Sequence, residues 1–456
     1  MRFWVILFLF TEIAAAGELR AGRAAAKITP PAGIPMAGYY NIRLAEGTHD
    51  DLWAKAIVLD DGQAKAALVS CDLISVDRET VERARKLIEE SIAIPAVNVM
   101  ISATHSHTGP LMGERFLAGA EAAPRKLSEQ FRAQLPGKIA DAVKAASNAM
   151  PVKARRAIGK EESVSFYRRY LMKDGSVRFN PGKMNPDIVQ PVGPIDPDLA
   201  VLRLDSADDK PMALYVNFAL HLDTVGGLQF SADYPYTLAK LMGKVHGHEM
   251  LTLFTIGAAG NINHIDVKSK APQKGHEEAK RIGTILAGET LKTMARLQPV
   301  QGIQVQAASE ILKLPCPRFD DKEVAAAQAA VKTFGKGEQR PFYDLVHAFK
   351  VLDVAERRGS PIEAEVQVIT LGNEVAWVGL PGEIFSELGI AIKKASPFPQ
   401  TIIVELANGL VGYVPTKKGF TEGSYEAISA RIAPGGGEAL AEAAIGLLAR
   451  LHRSAR

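Results

Sequence analysis

Residues 53–103 decide the fold class and read WAKAIVLDDGQAKAALVSCDLISVDRETVERARKLIEESIAIPAVNVMISA. Two apolar strand-like runs, 53–59 and 65–76, flank an Asp-Asp-Gly turn signal. Helical periodicity over 78–92, behind an aspartate in the N-cap position, leads to another apolar run over 97–103. The stretch therefore predicts a β-β-α-β unit.

The remainder of the chain continues this alternation of strand-like and helical segments. Further strands are predicted at 199–204, 212–220, 250–256, 364–371, 374–379 and 401–406. Helices are predicted at 128–146, 235–245, 276–295 and 322–331, with a short one from 383 and a closing one from 438. We predict an α/β fold with mixed β-sheets at the centre and helices outside. The segment 180–198, rich in Pro, Gly, Asn and Asp, is predicted to be a long loop, either a linker or a wall of an active site.

Composition excludes some classes of function. The 456 residues are 47% hydrophobic, and the formal net charge is only +3 with both signs mixed along the chain. No basic patch indicates nucleic acid, so we expect no nucleic-acid partner. The two cysteines, Cys71 and Cys316, are too few for a disulfide scaffold, although a single bond between them remains open.

The N-terminus has the order of features typical of a secretory signal peptide. Arg2 precedes an apolar run over 3–10, and small alanines end at Ala16. We predict that residues 1–16 are a signal peptide and that 17–456 form a single domain, periplasmic or secreted. The apolar run is too short for a lasting transmembrane anchor, and the oligomeric state stays open.

Two histidines follow the predicted strand 97–103 directly. Residues two apart in an extended segment project to the same side, so His105 and His107 can face one site. That site would lie at the carboxyl end of the strand, where α/β sheets place ligand-binding groups. The pair alone leaves open whether these are metal ligands or ordinary hydrogen-bonded histidines.

Two further residues repeat this placement. His221 ends the apolar run 212–220, and Glu383 follows the strand 374–379. Two histidines and a glutamate form a set typical of catalytic zinc, with a position left open. A second His-x-His pair, His246 and His248, lies between a helix and a strand and is interpreted as a solvated loop.

At these residues the sequence resembles the neutral or alkaline, non-lysosomal ceramidase family. The family's A/G-T-H-T-H-S-G-P motif is similar to 103–110, its N-x-F-A-x-H strand end to 217–221, and its P-G-E to 381–383. Its later tyrosine segments are similar to 408–414 and 424–426. The resemblance runs from about residue 20 to the last residues and covers only the family's N-terminal catalytic domain.

The resemblance implies a complete site. Zinc would be held by His105, His221, Glu383 and Tyr413, with His107, Arg169 and Tyr425 around the scissile carbonyl. Arg169 and Tyr425 would stabilise the developing oxyanion, and His107 would pass a proton to the leaving amine.

The sequence departs from the family at one site position. The family's serine in its glycine-aspartate-valine-serine-proline-asparagine stretch is replaced by Gly260. A mechanism based on zinc and water needs no serine nucleophile, so we infer altered substrate handling rather than lost hydrolysis.

The resulting hypothesis is an exported, zinc-dependent amidohydrolase that cleaves an N-acyl bond of a small or lipid-like, sphingolipid-type amide. One alternative is a zinc hydrolase of an ester, lactone or glycoside-like substrate. Another is a zinc-dependent binding protein without turnover, which would retain His105, His221 and Glu383 but not need His107 and Tyr425.

Overall fold

The strands of the larger sheet form from segments whose residues alternate between two apolar environments. In this computed structural model, which describes residues 18–117, 119–334 and 340–454, the sheet contains β1 Arg20–Lys27, β3 Trp53–Asp60, β4 Lys65–Cys71, β5 Val99–Ala103, β6 Met150–Lys160, β11 Asp198–Ser206, β12 Pro211–Phe218, β14 Leu251–Ile256 and β16 Gln298–Pro299. The order is β14-β12-β11-β6-β1-β3-β4-β5, with β16 beside β6. Only the β14/β12 and β4/β5 pairs are parallel.

A second, smaller sheet is also mixed. Its strands are β17 Val305–Leu314, β18 Ile362–Leu371, β19 Val375–Gly379 and β21 Gln400–Val404, in that order. The β17/β18 and β18/β19 pairs are antiparallel, and β19 and β21 run parallel.

The loops between these elements contain short strands that pair with one another. The two-stranded pairs are β2 Gly47–Thr48 with β13 Gln229–Phe230, β7 Phe166–Tyr167 with β15 Ile262–Asn263, and β20 Glu383–Ile384 with β22 Tyr413–Val414. A three-stranded antiparallel sheet contains β8 Arg169–Met172, β9 Val177–Phe179 and β10 Ile188–Pro191.

The helices are α1 Arg78–Ile92, α2 Glu114–Leu117, α3 Ala122–Ala146, α4 Tyr234–His246, α5 His276–Met294, α6 Asp321–Lys332, α7 Phe342–Ala355, α8 Ser386–Ala395, α9 Lys417–Glu422, α10 Ser424–Ser429 and α11 Gly436–Ser454, with a 3-10 turn at Ala96–Asn98. Helices α1, α3, α4, α5, α8 and α11 cover the outer faces of the two large sheets, and the other helices lie outside these faces. The N-cap predicted for α1 is present, because the Asp77 carboxylate accepts a hydrogen bond from the Thr80 N–H at 2.8 Å.

The core is organised in layers by the two-residue period of the strands. Ile57 of β3 and Trp377 of β19 belong to an apolar cluster that lies between the two sheets. Val58, the neighbour of Ile57, instead packs in the cluster that includes helices α1, α3, α4 and α5. Val378, the neighbour of Trp377, packs with residues of α8 and α11. The order of layers is therefore helix, sheet, sheet, helix, and the prediction of mixed central sheets flanked by helices is confirmed.

Three β-α-β crossovers give the two sheets their parallel pairs. They run β4-α1-β5, β12-α4-β14 and β19-α8-β21, and the first confirms the predicted β-β-α-β unit. The loops that follow β5, β12 and β19 leave the carboxyl ends of these strands, which is where α/β sheets bind ligands.

Several elements differ from the sequence-based expectation. Residue Glu383 begins strand β20, and the helix predicted from there starts only at Ser386. The predicted loop 180–198 contains β10 and the first residue of β11. Strands β1, β6 and β17 and helix α7 were not predicted, because their apolar residues are interrupted by charged and small ones.

Some predictions concern features other than strands and helices. The predicted signal peptide, 1–16, lies outside the described residues, and a single domain over 17–456 stays a prediction. Cys71 and Cys316 are both free thiols. Within the described ranges, no helix combines the length and apolar character needed to cross a membrane.

Asn408 connects the two sheets next to the strand ends. Its side-chain oxygen accepts from the Ile101 N–H at 3.0 Å, and its amide nitrogen donates to the Gln367 side chain at 2.7 Å. The residue is 1% exposed and has φ +61°, a left-handed conformation that asparagine tolerates better than most residues.

We expect Asn408→Ala to destabilise the protein by about 2–4 kcal/mol, because it leaves a buried N–H unpaired and imposes left-handed strain on alanine. The midpoint of urea unfolding, followed by circular dichroism, measures this change. Asn408→Gly is the matched control, since it loses the same hydrogen bonds without the strain and should be the less destabilised variant. Wild-type stability in Asn408→Ala would contradict this role for Asn408.

Candidate metal centre

The strand-end loops bring three histidines into one buried cluster. His105 and His107 follow β5, and His221 follows β12. The Nε2 atom of His105 lies 3.0 Å from Nε2 of His221 and 3.2 Å from Nε2 of His107. His105 and His221 are only 3% and 1% exposed, so water has little access to these nitrogens.

Backbone carbonyls fix the proton positions on two of the rings. Nδ1 of His105 lies 2.8 Å from the Ile74 carbonyl, and Nδ1 of His221 lies 3.1 Å from the Ala259 carbonyl. A carbonyl oxygen can only accept, so each Nδ1 carries a proton and donates it. When the rings are neutral, each Nε2 then carries a lone pair, and the two lone pairs face each other.

Glu383 brings a negative charge to the same point. Its Oε2 lies 3.4 Å from Nε2 of His105 and 3.5 Å from Nε2 of His221. This oxygen is buried and has no hydrogen-bond partner among the described residues. Burial would raise the pKa of Glu383, but the two adjacent imidazoles lower it to about 2, so the carboxylate is ionised.

The surroundings oppose a positive charge on His107 and on His221. Burial, with a smaller effect from the charge of His105, lowers the pKa of His107 to about 3. Burial and the Arg168 guanidinium lower the pKa of His221 well below its ordinary value. Nitrogen atoms and a carboxylate oxygen therefore converge in a small, buried volume.

A bound cation fits this arrangement. His105, His107 and His221 offer nitrogen atoms within 4.8 Å of one another, and they could together hold a metal ion. Histidine ligands are usually neutral imidazoles that bind the metal through one nitrogen and donate a hydrogen bond from the other N–H to a carbonyl. His246 and His248 do not belong to such a group, and His248 is exposed as expected for a loop.

Two tyrosines lie next to Glu383. The Tyr413 hydroxyl accepts a hydrogen bond from Arg168 at 3.1 Å, and Glu383 and Tyr413 are paired in the short β20–β22 ladder. The Tyr425 ring packs edge-on against that of Tyr413, with centroids 5.3 Å apart. Burial, reinforced by the charge of Glu383, raises the pKa of both phenols well above the usual value, so both keep their protons.

Arg168, rather than the neighbouring Arg169, reaches the cluster. Its NH1 lies 3.4 Å from Nε2 of His221, and its NH2 donates to the Tyr413 hydroxyl and, at 2.7 Å, to the Gly260 carbonyl. Arg169 instead donates to Glu422, Glu426 and the Gly419 carbonyl.

The physical reason is the alternation of side chains along an extended chain, which sends adjacent residues to opposite sides. The contact with the reacting carbonyl that the resemblance implied for Arg169 stays a prediction, and the geometry favours Arg168 in that place. The sequence holds no local signal that separates the two arginines, because the choice depends only on the face to which each side chain points.

Gly260 lies under the backbone that carries Glu383. A Cβ atom at Gly260 would be 2.3 Å from the Glu383 carbonyl oxygen and 2.6 Å from its carbonyl carbon. The Gly260 N–H donates to the Ile384 carbonyl at 2.8 Å, so the two segments are already in direct contact. Glycine is therefore required here by close packing.

Comparison with known proteins identifies the fold. No protein-family model matches the chain. The chain superposes on the crystal structure of neutral ceramidase from Pseudomonas aeruginosa with a TM-score of 0.74 at 17% identity, covering 96% of this chain and 75% of that one. It superposes on a ceramidase complexed with C2 with a TM-score of 0.75 at 18% identity, covering 96% of this chain and 76% of that one. The fold is thus that of the neutral ceramidases, and the resemblance in sequence is confirmed for the fold.

We expect Gly260→Ser, which restores the family's serine, to weaken metal binding by about fivefold or more. The new side chain must displace the Glu383 backbone, and overpacking of this kind costs about 1–3 kcal/mol. Metal affinity measured by competition with a chromophoric chelator tests this. Gly446→Ser is the matched control, because a Cβ there meets nothing within 4 Å. Wild-type affinity in Gly260→Ser would contradict the steric argument.

Proposed function

We propose that the protein is a zinc-dependent hydrolase that cleaves the amide bond of an N-acyl amine. The observation that carries the proposal is the pair of Nε2 lone pairs 3.0 Å apart beside an unpartnered carboxylate oxygen. Nitrogen and carboxylate donors in this number are typical of catalytic zinc, which uses three protein ligands and leaves a position open. The ceramidase fold supports the choice of an amide substrate.

We assign the metal to His105, His221 and Glu383, with the Tyr413 hydroxyl beside them. The carbonyls of Ile74 and Ala259 orient the two imidazoles, as residues around a catalytic metal commonly do. Zinc in such a set supplies a Lewis acid for the amide carbonyl and makes hydroxide available near neutral pH, so that no protein nucleophile is needed.

His107 has a different role in this proposal. Its Nδ1 is buried without a partner among the described residues, so no neighbouring group occupies that nitrogen. It is also more exposed than His105 and His221. A neutral imidazole in this position can take a proton from water and deliver it to the leaving nitrogen. Amide cleavage needs this delivery because an amine anion is a very poor leaving group.

Arg168 and Tyr425 provide charge stabilisation on the other side of the cluster. Burial opposes the charge of Arg168, but Tyr413, Glu426 and Glu383 raise its pKa, so it stays cationic. The Tyr425 phenol stays protonated and can donate. Fixed donors of this kind stabilise the negative oxygen that develops when an amide carbonyl is attacked.

Aromatic side chains favour an acyl group of lipid-like character. The Tyr425 ring contacts Phe342, with centroids 5.4 Å apart, and Phe342 contacts Tyr343 at the same distance. Phe342 and Tyr343 are 44% and 41% exposed, so apolar rings continue from the cluster to the surface. An alkyl chain that leaves the scissile carbonyl along these rings would be removed from water.

The decisive test measures zinc content and hydrolysis of N-acyl amines of increasing chain length in the same preparations. We expect about one zinc per chain in the wild type. His221→Ala should lose both zinc and hydrolysis. His107→Ala should retain zinc but lose about 10²–10⁴ in kcat, because only proton delivery is removed. His248→Ala, an exposed histidine outside the cluster, is the control and should match the wild type.

Each other outcome has a defined meaning. A wild-type protein that binds no zinc when the metal is offered would sink the proposal. Loss of zinc in His107→Ala would make His107 a ligand. Zinc without cleavage of any amide, but with cleavage of esters or lactones, would favour the alternative hydrolase. Binding of amides with no turnover would favour a zinc-dependent binding protein.

We also propose that the protein is exported and is periplasmic or secreted. The support is the charged, apolar and small-residue order of 1–16 in the sequence. N-terminal sequencing of the protein from its native host should begin near Gly17, and a mature chain that still begins at Met1 would refute cleavage.

A further inference from the structure

A second histidine with a carboxylate partner lies beside the metal cluster but outside it. The His264 side chain is fully buried, and its Nδ1 lies 3.1 Å from the Asp223 carboxylate. Its Nε2 lies 2.7 Å from the Gln273 carbonyl oxygen. Both ring nitrogens therefore face acceptors, and only a doubly protonated imidazolium can donate to both. The geometry describes an ion pair between His264 and Asp223.

The Asp223 end of this pair is open to solvent. The Asp223 side chain is 22% exposed, whereas that of His264 is 0% exposed. One carboxylate oxygen contacts His264, and the other has no hydrogen-bond partner within the described part of the chain. The pair is thus a fixed dipole whose negative end faces outward.

That open end lies close to the metal cluster, because Asp223 is only two residues beyond His221 in the chain. Asp223 interacts electrostatically with Tyr39, His107 and His221. The Tyr39 ring is 36% exposed and packs edge-on against His107, with centroids 5.8 Å apart. Tyr39, His107 and Asp223 therefore form the accessible rim above the buried nitrogens, which we call the Tyr39 rim.

A further carboxylate, that of Asp233, acts on this rim from the buried side. Asp233 also interacts with His264, and it accepts hydrogen bonds from the backbone N–H groups of Val225 and Tyr234. Burial raises the pKa of Asp233 to about 6, so it is ionised at neutral pH. Two carboxylates then share one imidazolium.

Arg43 adds a positive charge at the rim, since its guanidinium lies 4.3 Å over the Tyr39 ring. It donates to the carbonyls of His107 and Gly227 rather than to Asp223.

The metal cluster is flanked by opposite charges. Arg168 lies beside His221 and Tyr413, where the proposed mechanism needs positive charge for the oxyanion. Asp223 interacts electrostatically with His107, which in the proposed mechanism delivers a proton to the leaving amine. An amide substrate bound across the cluster would therefore direct its amine part toward a carboxylate.

We propose that Asp223 is a specificity-determining residue that binds a positively charged ammonium group on the amine part of the substrate. This inference rests on the proposed function for its orientation, since the amine part is defined by the scissile bond. A carboxylate that is held in place and already ionised needs no rearrangement to bind a cation, and charge-assisted hydrogen bonds are roughly twice as strong as neutral ones.

Two probes of equal size test the proposal. N-hexanoyl ethylenediamine carries an ammonium on its amine part, and N-propylhexanamide has a methyl group in its place. We expect zinc-loaded wild-type protein at neutral pH to prefer the ammonium probe roughly tenfold or more, and Asp223→Asn to lose this preference. The preference is the ratio of kcat/KM values if the probes are hydrolysed, or of calorimetric Kd values if they are not.

Asp208→Asn is the control for the change in net charge. Asp208 is exposed in the turn before β12, at the end of that strand opposite His221. It should keep the wild-type preference.

Four outcomes would overturn the assignment of Asp223. They are a wild type without preference, a preference that survives in Asp223→Asn, binding of neither probe, or loss of zinc together with equal weakening of both probes. The first measurement needs no variant, so misfolding of Asp223→Asn would not protect the proposal. A preference without hydrolysis would retain the ammonium site and refute the proposed function, whereas hydrolysis without a preference would do the reverse.

Discussion

Two imidazole nitrogens whose lone pairs face each other at 3.0 Å constrain the rest of this structure. In both rings the Nδ1 proton is held by a backbone carbonyl, so it cannot move to Nε2. Burial and the Arg168 guanidinium also oppose a second proton on His221. A carboxylate oxygen at 3.4 Å adds a third electron-rich atom to the same small volume. A positive centre held among these atoms would make such a packing favourable, and His105, His107 and His221 are placed so that they could hold a metal ion.

The two packed sheets provide the rigidity that this arrangement requires. The residues of the cluster lie far apart in sequence, yet each follows a strand with a parallel neighbour in one of the sheets. Hydrogen bonds across the layers fix the register. Asn217 of β12 donates to the Ile403 carbonyl of β21, and Asn408 pairs with Ile101 of β5. These amides hold the ends of both sheets together, so the loops beyond them start from fixed positions.

Sequence reasoning identified the elements with regular apolar periods and the strand-end histidines, because both signals are local. Strand β6 was missed because its four basic residues obscure the pattern. In the folded chain three of them pair with Asp209, Asp205 or Glu374, which sequence cannot place. Which of Arg168 and Arg169 reaches the cluster depends on the face to which each side chain points. Shifting the strand register by one residue would exchange the two. The contact of Gly260 with Glu383 joins segments more than a hundred residues apart, and only the folded chain reveals it.

Glu426 binds both adjacent arginines, with Oε1 accepting from Arg168 and Oε2 from Arg169. Helix α10 carries both Glu426 and Tyr425 and forms one wall of the cluster. Moving this helix outward would break the ion pairs of two buried guanidinium groups. Breaking a buried ion pair in this way costs about 3–5 kcal/mol. These ion pairs therefore hold the helix that carries Tyr425 firmly against the cluster. An acyl chain that follows Tyr425 and Phe342 to the surface would therefore lie along a fixed wall rather than under a mobile lid.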